Sequence, residues 1–323
     1  MKKAFYMIGI ILIIALSLAL NFLGGCERKK DGAAEERQSV LTAAKKSLVT
    51  VYYATADGQT LLPLSLEVNA TTEAARVAVE KLLAGPMTEG ATDSVPTDTK
   101  LLDLYSIYNT VYVDLSHEFL DIPSAKAQLA VDAVVATVLP LADCQKLQIL
   151  VEGEGVRAFG PVDLSDPLTM PAINPLTEET PAGAGETPQE GLTRLLFYLP
   201  DSASGFIIPH SRDVLLDAAL DPPLAQATAI LDLWVSQGFL DAASRPVLDF
   251  SDNLLTLDFP GALFLTMTQE EEQLFYQALI HSFCPIKGVY GLSLCLDGGA
   301  PEKLPQGQPL AQPLTITEPV NRI

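Results

Sequence analysis

One spacing in the chain names a covalent reaction. Lys2 and Lys3 precede an apolar run from Ala4 to Leu20, and Leu23-Gly24-Gly25-Cys26 follows it. A basic start, an apolar stretch and small residues before a cysteine form the layout of a bacterial lipoprotein signal. The small glycines let a peptidase reach the Gly25–Cys26 bond, and the freed Cys26 then carries the acyl chains, palmitate among them. Cys26 is therefore the expected lipidation site. The rival reading is an uncleaved spanning anchor, because the run approaches membrane-spanning length. Both readings place the remainder on the extracytoplasmic face of the cell membrane, and multiple acyl chains suffice for stable attachment.

The other residues able to do chemistry do not assemble into a motif. The three histidines, His117, His210 and His281, lack counterparts across the repeat described below, and no His-Glu-x-x-His, Cys-x-x-Cys or Gly-x-Ser-x-Gly occurs. Asp114 and Asp258 end matched strands. Paired acid–base carboxylates would be one reading, but retention in both copies favours a shared turn-capping device. Glu270-Glu271-Glu272 lacks the Asp-x-Asp-x-Asp-Gly pattern of a calcium loop and suits the first turn of a helix; Glu178-Glu179 suits a linker. Cys284 and Cys295 could pair outside the cell, yet Cys295 alternates with Leu294 and Leu296 as a buried free thiol would. Spacing leaves the pairing open, and Cys144 has no cysteine partner in its own copy. No catalytic residue, cofactor site or metal site is expected, and the chain is read as not an enzyme. The formal net charge of −20 argues against nucleic-acid partners, since phosphates repel such a surface.

The elements that would position these residues repeat. Asn109–Leu115 matches Asn253–Phe259, Gln128-Leu129 matches Gln273-Leu274, and Leu147–Gly153 matches Leu292–Gly298, at offsets of 144 to 145; Tyr53 and Tyr198 are aligned at 145. A period this long signals domain duplication rather than a solenoid. Residues 1–25 read as the signal peptide and 26–46 as a flexible polar tether. Residues 47–164 form the first domain, 165–192 a Pro/Glu-rich linker, 193–298 a degenerate second domain and 299–323 a Pro-rich tail. The first copy reads as a strand at Leu48–Tyr53, extended as a hairpin after Asp57-Gly58. A helix capped by Thr72 follows, then strands Leu101–Ile107 and Thr110–Leu115, a helix at Ser124–Leu139 and a strand at Lys146–Val151. The second copy reads as strands Thr193–Tyr198, Pro246–Phe250, Leu254–Phe259 and Val289–Leu296 with helices Pro223–Trp234 and Gln269–Phe283. The fold class is α+β: two tandem β-α-β-β-α-β domains.

Val51-Tyr52-Tyr53, Ala78-Val79-Glu80-Lys81-Leu82-Leu83-Ala84-Gly85-Pro86, Val95-Pro96-Thr97-Asp98-Thr99-Lys100, Val111–Ser116 and Leu147–Gly153 resemble the GerMN domain family. The second copy is degenerate, with Leu233-Trp234-Val235-Ser236-Gln237-Gly238 where the first has Leu-Leu-Ala-Gly-Pro. A lipobox followed by two such domains is similar to the layout of GerM-like sporulation and germination lipoproteins. That resemblance implies modules like those that build rings in secretion systems. It also implies a non-enzymatic, lipid-anchored envelope scaffold, with self-assembly or envelope proteins as partners. The alternative is a lipoprotein that binds a small molecule or cell-wall fragment between the modules.

Overall fold

The computed structural model describes residues 46–176 and 191–323, all within one compact unit, Ala44–Ile323. The expected signal peptide, the Cys26 anchor, the tether up to residue 45 and the middle of the linker lie outside the described residues. No helix among the described residues is long and apolar enough to cross a membrane.

The first module opens with a long antiparallel hairpin, β1 (Lys46–Thr55) and β2 (Leu61–Asn69). Alternation along β1 buries Val49, Val51 and Tyr53 on one face. Helix α1 (Ala74–Ala84) follows and buries Ala75, Ala78, Val79 and Leu82. It starts one residue later than expected: Glu73 rather than Thr72 is the cap position, and Thr71 Oγ1 accepts from the Glu73 N–H at 3.0 Å. Gly85 ends it at φ +78°, a conformation open to glycine. The short strand β3 (Ala91–Thr92) pairs beside β1.

A second hairpin, β4 (Leu101–Ile107) and β5 (Thr110–Leu115), turns at Tyr108-Asn109. Two short 3-10 turns lead into helix α2 (Ala127–Val138), so only the later part of the expected Ser124–Leu139 helix is α-helical. Ala127, Ala130, Val131 and every residue from Ala133 to Val138 are buried; the helix is apolar on nearly every side because it lies within the core. It carries the chain over to β6 (Lys146–Val151), which runs parallel to β5. Strand β7 (Glu154–Gly155) completes a sheet of order β4-β5-β6-β7, and β8 (Ala158–Phe159) with β9 (Val162–Asp163) forms a small ribbon.

The second module repeats the plan with hairpin β10 (Leu192–Asp201) and β11 (Phe206–Leu215), helix α3 (Pro222–Ser236), and hairpin β12 (Val247–Ser251) and β13 (Leu254–Phe259). The short α4 (Ala262–Leu265), helix α5 (Gln269–Phe283) and strand β14 (Gly291–Leu296), parallel to β13, complete it. Thr268 and Glu271 close a capping box at the start of α5. The core holds Trp234, Phe259, Phe264, Phe275 and Phe283, with Phe275 edge-on to Trp234 at 5.7 Å between ring centroids.

The mixed α+β class stands. Within it, the hairpin expected at the start of the first module is present and recurs in the second, where one strand was expected; in each module that hairpin belongs to a sheet separate from the second one. The second copy's hairpin partner, β11, is absent from the expected strands because Pro209, His210 and Arg212 interrupt its apolar alternation.

Candidate functional site

The hairpin registers correct one alignment. Tyr52 pairs with Pro63 and Tyr198 pairs with Pro209, so the first hairpins correspond at an offset of 146. Tyr198 is thus the counterpart of Tyr52, not of Tyr53. A slip of one residue moves a side chain to the other face of a strand, so the difference has consequences. Tyr53 points into its own core, where its hydroxyl donates to the Lys81 carbonyl at 2.9 Å; burial, with Asp93 nearby, pushes its pKa up to about 12. Tyr198 is held far above the usual phenol range by burial and then by its counterpart Tyr52. The two equivalent tyrosines lie close together where the modules meet.

A helix hydroxyl satisfies the strand at each of these tyrosines. The Tyr52 N–H donates to Thr137 Oγ1 at 3.0 Å, and the Tyr198 N–H donates to Ser282 Oγ at 2.8 Å. These amides point away from the hairpin partner, so each tyrosine–proline pair is of the non-hydrogen-bonded kind. The missing N–H of Pro63 or Pro209 therefore breaks no bond within its hairpin, as suits proline on an edge strand.

Strands β2 and β11 face each other across the junction, and two asparagines join them. Asn174 accepts from the Leu61 N–H at 2.7 Å and donates through Nδ2 to the Leu61 and Pro209 carbonyls, both at 2.8 Å. Asn321 accepts from the Ile207 N–H at 3.0 Å and donates to the Ile207 carbonyl at 2.7 Å and the Pro63 carbonyl at 2.9 Å. Leu61 is the counterpart of Ile207 and Pro63 of Pro209, so each asparagine grips its own module and reaches into the other. Both sit at positive φ, 43° and 47°, a region asparagine tolerates better than most residues.

The flanking residues extend this exchange. Leu176 N–H donates to the Ser211 carbonyl of the second module at 3.0 Å, and Arg212 donates to the Leu176 carbonyl at 2.7 Å. In return Ser65 N–H donates to the Asn321 carbonyl at 3.2 Å and Ile323 N–H to the Ser65 carbonyl at 3.1 Å. Upstream, Leu168 exchanges two backbone bonds with Leu147, and Leu314 does the same with Leu292. Leu168–Leu176 and Leu314–Ile323 are thus equivalent segments: the described end of the linker and the tail belong to the repeat. Ile208 of the second module completes the packing by joining the first module's core.

Glu272 anchors the tail from the other side. It is fully buried, and its carboxylate accepts from Gln306 N–H at 2.7 Å and Gln308 N–H at 3.0 Å. Two backbone donors and the positive end of α5 compensate for burying its charge.

The residues singled out by type occupy structural places. Asp114 Oδ1 accepts from Gly153 N–H and Asp258 Oδ1 from Gly298 N–H, each at 2.9 Å. The matched aspartates cap matched turns after β6 and β14. His117 is exposed in a 3-10 turn. His210 lies 3.3 Å through Nδ1 from the Asn174 carbonyl, and His281 packs against the Tyr198 ring at 5.6 Å; burial lowers the pKa of both. Cys144, Cys284 and Cys295 are free thiols, and Cys284 donates to the Leu314 carbonyl. Among the described residues no group of three or more His, Cys, Asp or Glu side chains could hold a metal ion.

A cavity of about 870 Å³ lies on the second module, between α5 and residues 308–322. No residue of the first module lines it. Tyr52, Tyr198 and the asparagine clasps lie instead where the modules meet.

This doubled module, joined by reciprocal clasps, is the tandem GerMN fold. The described body is similar to the tandem GerMN domains of the sporulation protein GerM from Bacillus subtilis, with 17% identity over 86% of this chain and 99% of that one and a TM-score of 0.58. Residues 50–157 match the family model described as "Germane: Sporulation and spore germination", so in domain and fold the chain is GerM-like. Two shorter structures are also similar. The first GerMN domain of that GerM has 21% identity over 38% of this chain and 97% of its own, with a TM-score of 0.35. A putative lipoprotein from Clostridium perfringens has 24% identity over 40% of this chain and 89% of its own, with a TM-score of 0.29. No curated protein matches the chain.

Proposed function

We propose that the protein is a lipid-anchored scaffold of the cell envelope that acts in sporulation or spore germination without catalysing a reaction. The observation that carries this reading is the Germane match within a body of duplicated GerMN-type modules. The family description concerns a developmental process and names no reaction. Cys26 holds the chain at the extracytoplasmic membrane face, and the modules engage neighbouring copies or envelope proteins.

The clasped junction leaves the second sheets free to make such contacts. In the first module β4 is an edge strand, and Leu102, Tyr105 and Ile107 on it are exposed. Tyr105 stacks on Tyr112 at 5.1 Å, forming a flat aromatic surface beside that edge. Asp103 and Arg76 cover part of the edge by bonding the Leu104 N–H and carbonyl, a common guard against indiscriminate strand pairing.

The test is a chromosomal fluorescent fusion combined with cysteine cross-linking from Tyr108→Cys, a fully exposed position at the β4 turn. Localisation to the developing spore, spore loss on deletion and cross-linked species in the envelope are expected. Uniform vegetative localisation with normal sporulation and germination would sink the process assignment. A wholly monomeric, uncross-linked chain on the membrane would sink the scaffold.

A further inference from the structure

The cavity on the second module carries an inference independent of the scaffold reading. Gln273, Tyr276, Gln277 and His281 project from α5 into it, and Thr315 and Thr317 line the facing segment. Apart from the packing of His281 on Tyr198 and the electrostatic contact of Tyr276 with Cys284, none of these six side chains has a hydrogen-bond or ion-pair partner among the described residues. Donor–acceptor side chains that converge on a concavity beside apolar lining, here Phe206, Leu274, Ile280 and Leu314, give it the make-up of a ligand site.

The duplication supplies an internal comparison. Gln273 and Gln277 correspond to Gln128 and Asp132, at the same offset that relates Ser282 to Thr137. In the first module this pair is closed: Gln128 Nε2 donates to Asp132 Oδ1 at 2.9 Å. In the second both members are amides, which remain open, and His281 stands where the first module has Ala136. The second copy, degenerate by sequence, has opened on this helix face what the first keeps satisfied.

The chemistry of the lining selects the ligand. Amide, phenol and threonine groups each both donate and accept, and imidazole does so when neutral, the form burial favours at His281. Such groups match hydroxyls and acetamido groups. Phe206 and Tyr276, each partly buried, add aromatic edges for the C–H side of a sugar ring. Glu270, Glu271 and Glu318 at the rim outnumber Arg322, which disfavours an anionic ligand. We infer that this groove binds a neutral, hydroxyl-rich glycan segment.

The test titrates the full chain, held in a detergent without a sugar headgroup, with the N-acetylglucosamine tetramer and, separately, with a tetra-alanine peptide. Calorimetry or side-chain NMR reports saturation. Saturable tetramer binding is expected at a Kd of about 1 mM or tighter. Gln273→Ala/Gln277→Ala should weaken it by about tenfold or more, the effect of losing two hydrogen bonds. The thermal midpoint should not move, and Gln128→Ala in the first module should leave the Kd unchanged. No saturation by the tetramer, an unchanged Kd in the double variant, or saturation by the peptide alone would each overturn the inference.

Discussion

Replacing Asn321 by alanine tests the closure of the molecule at a single side chain. Asn321 is about 5% exposed and serves one N–H and two carbonyls from opposite modules. Its removal leaves three backbone groups facing apolar packing without their partner, at about 1 kcal/mol or more each. Alanine at positive φ adds about 1 kcal/mol of backbone strain. The expected loss is therefore about 4 kcal/mol for Asn321→Ala and about 3 kcal/mol for Asn321→Gly, which keeps the φ and loses the same bonds. In urea, with a slope near 3 kcal/mol per molar, the midpoint should fall by about 1 M. Asn69→Ala, at an exposed position ending β2, is the control and should leave the midpoint within error. Asn174→Ala should resemble Asn321→Ala because its bonds are equivalent. In the double variant the losses should fall short of additive, since both side chains hold one junction. If Asn321→Ala costs less than about 1 kcal/mol, or matches the Asn69 control, the reciprocal clasp does not hold the modules together.

Three further outcomes follow from the same physics. Glu272→Ala should cost about 2–4 kcal/mol and speed hydrogen exchange at Gln306 and Gln308, whose N–H groups lose their acceptor; Glu272→Gln should cost less because one oxygen remains. Burial, offset in part by Gln128, raises Asp132 to about 6, so its protonated form is favoured in the fold, and that contribution is complete below about pH 4 and lost as pH rises through 6. Asp132→Asn should therefore be the more stable protein at pH 7 by about 1–2 kcal/mol after allowing for partial exposure, with the gap closing by pH 4 in paired urea titrations. Cys26→Ala should abolish incorporation of radiolabelled palmitate and leave an unprocessed precursor; continued labelling would remove the proposed anchor.

The sequence by itself determined the duplication, the helices and the second hairpins. Those rest on local periodicity and turn chemistry: Val111, Val113 and Leu115 alternate, Ala75, Val79 and Leu82 recur at helical spacing, and Asp114 and Asp258 recur at matched turns. Free thiols and separated histidines also accord with their scatter along the chain. What composition concealed was the role of the Pro-rich segments. Leu168–Leu176 and Leu314–Ile323 have no periodicity because their bonds go to scattered strands of both modules rather than along a helix or a long strand. Only the paired Leu-Thr and the lone Asn174 and Asn321, each after a β-branched residue, hinted that they repeat. The tyrosine alignment failed for a related reason: two adjacent tyrosines in the first copy match one in the second, and only strand register says which. The junction, the buried Glu272 and the open groove were decided by tertiary structure, because each joins residues far apart in sequence through backbone groups that carry no residue-type signature.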